Sequence, residues 1–276
     1  MTSDLTVASA TAFAIIAAIW LAPPPAHSAS AEVQHPVFDP GGNEGTQASL
    51  EAQLAPLLAM ADEDLAALVP ALNGFQFCDC PNCDMGAQQG QLVWMGLAAP
   101  GQVKCKYCGM VYPNDQYPED KTITALNPRG ETVTWPYYEN ANGRHFFSGR
   151  AWYQAKHWLG ARAYDLARLA YASKDPAHEH KAIVLLDGFG EKYPGWCVMY
   201  DLTRGDSKPL DSHPEKPHPY WGGIWSRWHY GDVPTDLVRA YDLVYYSGEW
   251  EKLSALKGLD VRAAPRSPGA RARPAP

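Results

Sequence analysis

Apolar residues along this chain recur with two different periods, and each period predicts one type of secondary structure. Over residues 49–69 the leucines repeat every three or four positions, which predicts helix, and Pro56 is expected to divide this stretch into two short helices. Over 122–135 apolar and polar residues alternate weakly, and the turn-forming run Asn-Pro-Arg-Gly at 127–130 interrupts the alternation. This second segment is therefore predicted to form a short β-hairpin.

Two longer helical stripes follow, over 152–172 and 181–193. The link between them is short and contains Asp175-Pro176, a pair that suits the N-cap and the first position of the second helix. Short links between helices favour antiparallel neighbours. A third stripe begins at Leu237, so the second half of the chain has the pattern of helix hairpins joined by loops, as in an α/α barrel or a solenoid.

The composition narrows the class of protein. The 276 residues are 46% hydrophobic and 19% charged, which is typical of a globular chain. A formal net charge of -7 and the lack of a long basic stretch argue against nucleic acid as the main partner. The 10 Trp and 15 Tyr are concentrated between residues 135 and 250. Their rings suit stacking on sugar rings, and packing in the core is the alternative interpretation for each of them.

The first 28 residues have the pattern of an export signal. An apolar run at 11–22 is too short to span a bilayer comfortably, three prolines end it, and the Ala-His-Ser sequence at 26–28 offers a small-x-small cleavage pattern. The preceding residues carry Asp4 and no lysine or arginine, which departs from the usual signal. We therefore predict a signal peptide at 1–28, a periplasmic or secreted location, and no membrane-spanning segment after cleavage.

Four cysteines are spaced as the ligands of a metal ion. Cys80 and Cys83 form one CxxC pair, Cys105 and Cys108 form a second about twenty residues later, and a glycine follows the second pair. This spacing predicts a closed, structural zinc site, with disulfides in an exported chain and iron as the alternatives. Two further thiols, Cys78 and Cys197, have no assigned role.

These motifs together resemble the N-terminal part of heparinase II/III-type polysaccharide lyases, in the branch that carries a zinc knuckle before the toroid. The resemblance covers roughly residues 75–256. It rests on the segment from Phe77 to Cys83, on the second knuckle with Val111-Tyr112-Pro113-Asn114, on Trp135-Pro136-Tyr137-Tyr138, on the residues from Trp221 to Asp232, and on a helix pair that ends in Tyr193-Pro194-Gly195-Trp196.

The resemblance implies an incomplete α/α toroid followed by a large antiparallel β-sandwich, and β-elimination on uronic-acid polysaccharides. That reaction needs a group that neutralises the uronate carboxylate, a base, and an acid for the leaving oxygen. In the family these groups lie on later toroid helices and on the sandwich. No matching Asn-His pair is found in this sequence, so the catalytic residues stay unknown and activity of this chain alone is not expected.

An aromatic segment from Trp221 to Asp232 is the first candidate for contact with an acidic polysaccharide. Its glycines indicate a loop, its tryptophans offer stacking faces, and its arginine can bind a carboxylate through two parallel hydrogen bonds. Packing against the following helix is the alternative. The candidate substrate-binding residues are Trp221, Trp225, Arg227, Trp228, His229 and Tyr230, with Arg144 and His145 as a second group.

The predicted fold class is mainly α: an incomplete α/α toroid of helix hairpins with a small N-terminal four-cysteine zinc knuckle. The predicted divisions are a signal peptide at 1–28, a linker and N-terminal helices at 29–74, the knuckle and hairpin at 75–148, a partial toroid at 149–258 and an aberrant or disordered tail at 259–276. The Ala-, Arg- and Pro-rich tail suggests a frameshift or truncation. The alternatives to a lyase fragment are a non-catalytic carbohydrate-binding fragment and a glycoside hydrolase on the same toroid.

Overall fold

The computed structural model describes residues 33–40, 44–76, 78–83, 91–127, 129–196, 199–200, 209–210 and 234–262. About half of these residues are helical. The helices are α1 (Glu44–Leu58), α2 (Asp62–Ala67), α3 (Phe147–Ser173), α4 (Pro176–Lys192), α5 (Thr235–Leu243) and α6 (Glu249–Lys257). None of the helices in these ranges is long and apolar enough to cross a membrane.

Strands form a larger part of the fold than the mainly α prediction allows. One three-stranded antiparallel sheet has the order β1 (Leu92–Trp94), β2 (Val103–Cys105), β3 (Val111–Tyr112). A second consists of β4 (Lys121–Leu126), β5 (Thr132–Asn140) and β6 (Gly143–His145), and a short pair joins β7 (Met199–Tyr200) to β8 (Pro209–Leu210). The first sheet was missed because its strands have only two or three residues, too few for a period of two to be visible.

The predicted hairpin is confirmed as β4 and β5, which pair in register from Lys121 with Tyr137 to Leu126 with Thr132. Its turn has the chemistry that the sequence indicates. The Asn127 Oδ1 accepts hydrogen bonds from the backbone N–H groups of Arg129 (2.9 Å) and Glu131 (3.0 Å). Gly130 has φ of +75°, a conformation that glycine adopts without steric cost.

The helix pair is also confirmed, with longer helices than the sequence stripes. The Asp175 carboxylate caps α4 by accepting from the backbone N–H of Ala177 at 2.8 Å, and Pro176 is the first helical residue. In the N-terminal region, two helices are present as predicted, but α1 continues two residues past Pro56. The break falls at 59–61, where the N–H of Met60 bonds to the carbonyl of Leu57 and tightens the last turn.

Three buried apolar clusters hold the described residues together. The largest lies between the six helices and includes Leu54, Leu159 and Ile183. A second lies under β5 around Trp135, and a third lies under β1, β2 and β3 and contains Cys78, Cys80 and Cys105. The second and third clusters meet the body of the protein at the start of α3, where adjacent residues contribute to each of them: Phe146 and Phe147.

The C-terminal end of the described chain is packed rather than loose. Val261 is 9% exposed and belongs to the largest cluster, and its backbone N–H donates to the Ser254 hydroxyl at 3.1 Å. The guanidinium of Arg262 lies 4.7 Å from the ring centroid of Tyr245. The ordered packing therefore extends to Arg262, four residues into the segment predicted as a tail; residues 263–276 lie outside the described ranges.

Candidate metal centre

Two short turns present the four predicted cysteines to a common point. Cys105 is the last residue of β2, and the turn after it is closed by a hydrogen bond from the Cys105 N–H to the Met110 carbonyl at 2.8 Å. Gly109, with φ of +77°, gives this turn a backbone conformation that is strained for residues with a side chain. The first pair, Cys80 and Cys83, lies in the loop before β1.

The four sulfur atoms all lie within 4.8 Å of one another. The Sγ atoms of Cys80 and Cys108 are 3.6 Å apart, and those of Cys83 and Cys105 are also 3.6 Å apart. A tetrahedral ion with metal–sulfur bonds of about 2.3 Å places its ligands about 3.8 Å from one another, so the observed separations fit such an ion. They are far longer than the roughly 2.05 Å of a disulfide, and the five cysteines in the described residues are unpaired.

The pKa values of the thiols also favour a metal ion at this site. Burial and the three neighbouring thiols raise the pKa of Cys83 to about 12. Burial opposes ionisation of Cys108 too, but the Met110 backbone N–H, the Asn82 side chain and neighbouring thiols lower the pKa of Cys108 to about 6. The first thiolate to form therefore makes the next harder to form, and a divalent cation is the kind of group that holds all four as thiolates.

Cys78 belongs to the same buried apolar cluster as Cys80 and Cys105, but it is not one of the four candidate ligands. Its side chain is buried, its Sγ lies 3.9 Å from the Asp79 carbonyl oxygen, and the group of sulfurs that converge on one point does not include it. Burial, followed by the charges of Asp79 and Glu119, raises the pKa of the Cys78 thiol well above its usual range. It is an inert packing residue in this environment. Cys197 lies outside the described residues.

The second group of candidate sugar-binding residues has partners within the protein. The Arg144 Nε donates to Glu139 at 3.2 Å, and its guanidinium lies 5.1 Å from the Tyr137 ring centroid. His145 is 4% exposed, with Nδ1 3.2 Å from the Asp79 carbonyl and Nε2 3.2 Å from the Asn140 side-chain oxygen. Burial lowers the pKa of His145. His145 therefore connects the residue before Cys80 to the end of β5. Substrate contact by Arg144 and His145 stays a prediction.

The first group lies outside the described residues, so the structure gives no account of it: Trp221, Trp225, Arg227, Trp228, His229 and Tyr230. Two residues that sequence reasoning missed stand beside the metal centre instead. These are Gln91 and Tyr112, whose side chains contact ligand sulfurs. Only the position of Tyr112, four residues after Cys108 in an apolar run, gave any signal of its burial. Gln91 gave none, because a glutamine that follows other glutamines and a glycine is normally solvated.

Comparisons of the chain with protein-family models, with curated proteins and with solved structures found no match.

Proposed function

We propose that the four-cysteine site holds a Zn²⁺ ion whose role is structural. The observation that carries this proposal is the convergence of four sulfurs on one point, with two separations of 3.6 Å. Four thiolates complete the tetrahedral coordination of a structural zinc ion. Zinc prefers four thiolates in this geometry, whereas calcium and magnesium prefer oxygen ligands. Bound there, the ion would supply cross-linking of the loop at 78–83 to the turn at 105–110, with no open position for catalysis.

The test is metal analysis of purified protein, with two serine variants. Cys105→Ser removes a ligand and should abolish stoichiometric zinc, and the segment 75–113 should become sensitive to protease. Cys78→Ser is the matched control, because Cys78 is buried in the same cluster but lies outside the ligand set. Retention of one zinc per chain by Cys105→Ser, or a finding of iron in place of zinc, would contradict the proposal.

We further propose that this metal-stabilised chain belongs to a polysaccharide lyase that acts by β-elimination on uronic-acid-containing polymers, with its helix hairpins as part of an α/α toroid. The support is the sequence resemblance and the packed helix pair α3 and α4, which are joined by a short link. The role proposed for this chain is binding of an acidic polysaccharide in the periplasm or outside the cell. Arg227 is the residue expected to bind the uronate carboxylate.

Affinity electrophoresis in gels that contain either a uronate polymer or a neutral polymer tests this role. The uronate polymer should retard the protein, and Arg227→Ala should lose most of that retardation. Arg129→Ala is the control, since Arg129 is bonded to the Glu191 carbonyl. Equal migration in both gels would refute polymer binding. An ultraviolet-absorbing unsaturated product would show elimination, whereas new reducing ends without it would favour the alternative hydrolase.

A further inference from the structure

Gln91 forms hydrogen bonds with both of the segments that carry the cysteines of the metal centre. This residue is 1% exposed, and its Oε1 accepts a hydrogen bond from the Cys80 backbone N–H at 3.3 Å. Its Nε2 donates to the Cys83 sulfur at 3.5 Å. Its main-chain carbonyl accepts from the N–H of Lys106, inside the second knuckle, at 3.0 Å. One buried residue therefore bridges the two knuckles.

Tyr112 connects the centre to the helical body. Its side chain on β3 is fully buried, and its Oη lies 2.8 Å from the Cys80 sulfur. Its ring stacks on Phe147, the first residue of α3, with centroids 4.4 Å apart and an angle of 15° between the planes. When Cys80 is a metal-bound thiolate it can only accept a hydrogen bond, so the tyrosine hydroxyl must then be the donor.

The charge of the centre explains why such donors are needed. Four thiolates around a divalent ion leave two negative charges in excess, and Cys80 and Cys105 are buried. Excess charge removed from water must be balanced by hydrogen-bond donors directed at the sulfurs. Backbone N–H groups supply part of this, and the side chains of Asn82, Tyr112 and Gln91 supply another part.

We propose that Gln91 and Tyr112 are positioning residues of the metal centre, which stabilise the thiolates of Cys83 and Cys80 and hold the two knuckles at the separation that a tetrahedral ion requires. The inference rests on the proposed zinc site. Loss of an outer hydrogen bond to a metal ligand lowers metal affinity by about 10- to 100-fold. The same loss is expected for each of these side chains, without loss of the four ligands themselves.

Two substitutions remove the donors with little change in shape. Tyr112→Phe deletes the hydroxyl but keeps the ring that stacks on Phe147. Gln91→Glu keeps an acceptor for the Cys80 N–H but replaces the donor to Cys83 with a negative charge. Tyr107→Phe is the matched control, because Tyr107 lies between the ligands of the second knuckle with a ring that is 45% exposed. Circular dichroism in the presence of zinc checks that each variant is folded.

Zinc affinity is measured by competition with a chromophoric chelator, and the Co²⁺-substituted protein gives thiolate-to-metal charge-transfer bands. We expect a 10- to 100-fold weaker affinity and shifted bands for Tyr112→Phe and Gln91→Glu, and values within about threefold of the parent for Tyr107→Phe. Parent-like affinity and bands in both variants would overturn this inference and leave the zinc proposal standing. A parent protein that binds no metal would overturn both this inference and the zinc proposal.

Discussion

Lys156 is a cationic residue in the interior of this protein, and replacing it should stabilise the fold in a pH-dependent way. It lies in the middle of α3 and is 1% exposed, with its Nζ 5.3 Å from the Tyr153 ring centroid and 5.6 Å from that of Trp196. Burial lowers the pKa of Lys156 from 10.5 to about 7. Between these two values the unfolded chain holds a proton that the folded protein has released.

The direction in which the free energy of unfolding changes with pH follows from proton linkage. Because the unfolded state binds more protons between pH 7 and 10.5, the free energy of unfolding rises with pH over that window by up to about 1.4 kcal/mol per unit. The whole difference amounts to about 5 kcal/mol, which is the cost of burying the charged amine at pH 7 and below. Attraction between the ammonium and the two aromatic rings would raise the folded pKa and reduce this difference by on the order of 1–2 kcal/mol.

Lys156→Met keeps the length and the apolar stem of the side chain and removes the charge. We expect this variant to be more stable than the parent by about 2–4 kcal/mol at pH 6.5, and the advantage to shrink toward zero by pH 10. The measurement is urea denaturation of both zinc-loaded proteins, followed by circular dichroism, at several pH values from 6.5 to 10.

Lys252→Met is the control, because the Lys252 side chain is 67% exposed and its partner Glu249 keeps His180 as a second partner. Its stability should differ from that of the parent by less than about 1 kcal/mol at every pH. If Lys156→Met is less stable than the parent at pH 6.5, the ammonium makes contacts worth more than its desolvation cost. A difference that does not change with pH would refute the titration on which the prediction depends.

Three further changes test the packing, an ion pair and the metal centre. Gly74→Ala should destabilise the fold by about 3 kcal/mol or more in thermal unfolding, because a Cβ there would lie 2.1 Å from the Tyr153 backbone nitrogen. Gly190→Ala is the control: its Cβ meets open space, so it should be neutral or slightly stabilising. Burial alone would raise the pKa of Asp62, but hydrogen bonds from His180 and Lys181 lower it. The Asp62 carboxylate therefore stabilises the fold above about pH 4, and this contribution is lost as the pH falls through the folded pKa. Asp62→Asn should flatten that acid dependence in denaturation curves from pH 5 to 2, and the same change at the third residue of α2 serves as control. Zinc affinity near neutral pH should rise by about tenfold or more per pH unit, because the thiols that keep their protons must release them, and a pH-independent chelator competition would contradict this.

The sequence predicted those features of the fold that depend on local chemistry. The cap of α4 and the hairpin turn after β4 were predictable because a single side chain, Asp175 or Asn127, satisfies nearby backbone groups in each. The cysteine ligands were predictable because two turns of fixed spacing define them. The sheet of β1, β2 and β3 was not predictable, because strands of two or three residues are too short to show an alternating pattern.

The parts of the site that were missed share one property. Gln91 and Tyr112 contact cysteines that are 8 and 32 residues away in the chain, and no local sequence pattern encodes such contacts. Lys156 likewise lies on the buried side of α3, where a helical stripe would place an apolar residue. Polar residues at apolar positions are individually unremarkable in sequence, and only the three-dimensional contacts distinguish one that supports a site from one that is solvated.

The start of α3 explains why a small metal module can matter to a much larger helical body. The buried Arg150 guanidinium donates to the main-chain carbonyls of Leu92, at 3.2 Å from Nε, and of Gln76. One turn further along, the Gln154 side chain accepts from the Trp94 N–H at 2.9 Å. Tyr112 adds its stacking contact with Phe147. These contacts join the ends of the metal loops to the helix that packs against α1, α4 and α5, so an ion that fixes the loops also fixes the position at which this helix begins. A metal ion bound by the four cysteines would therefore stabilise both these loops and the start of α3.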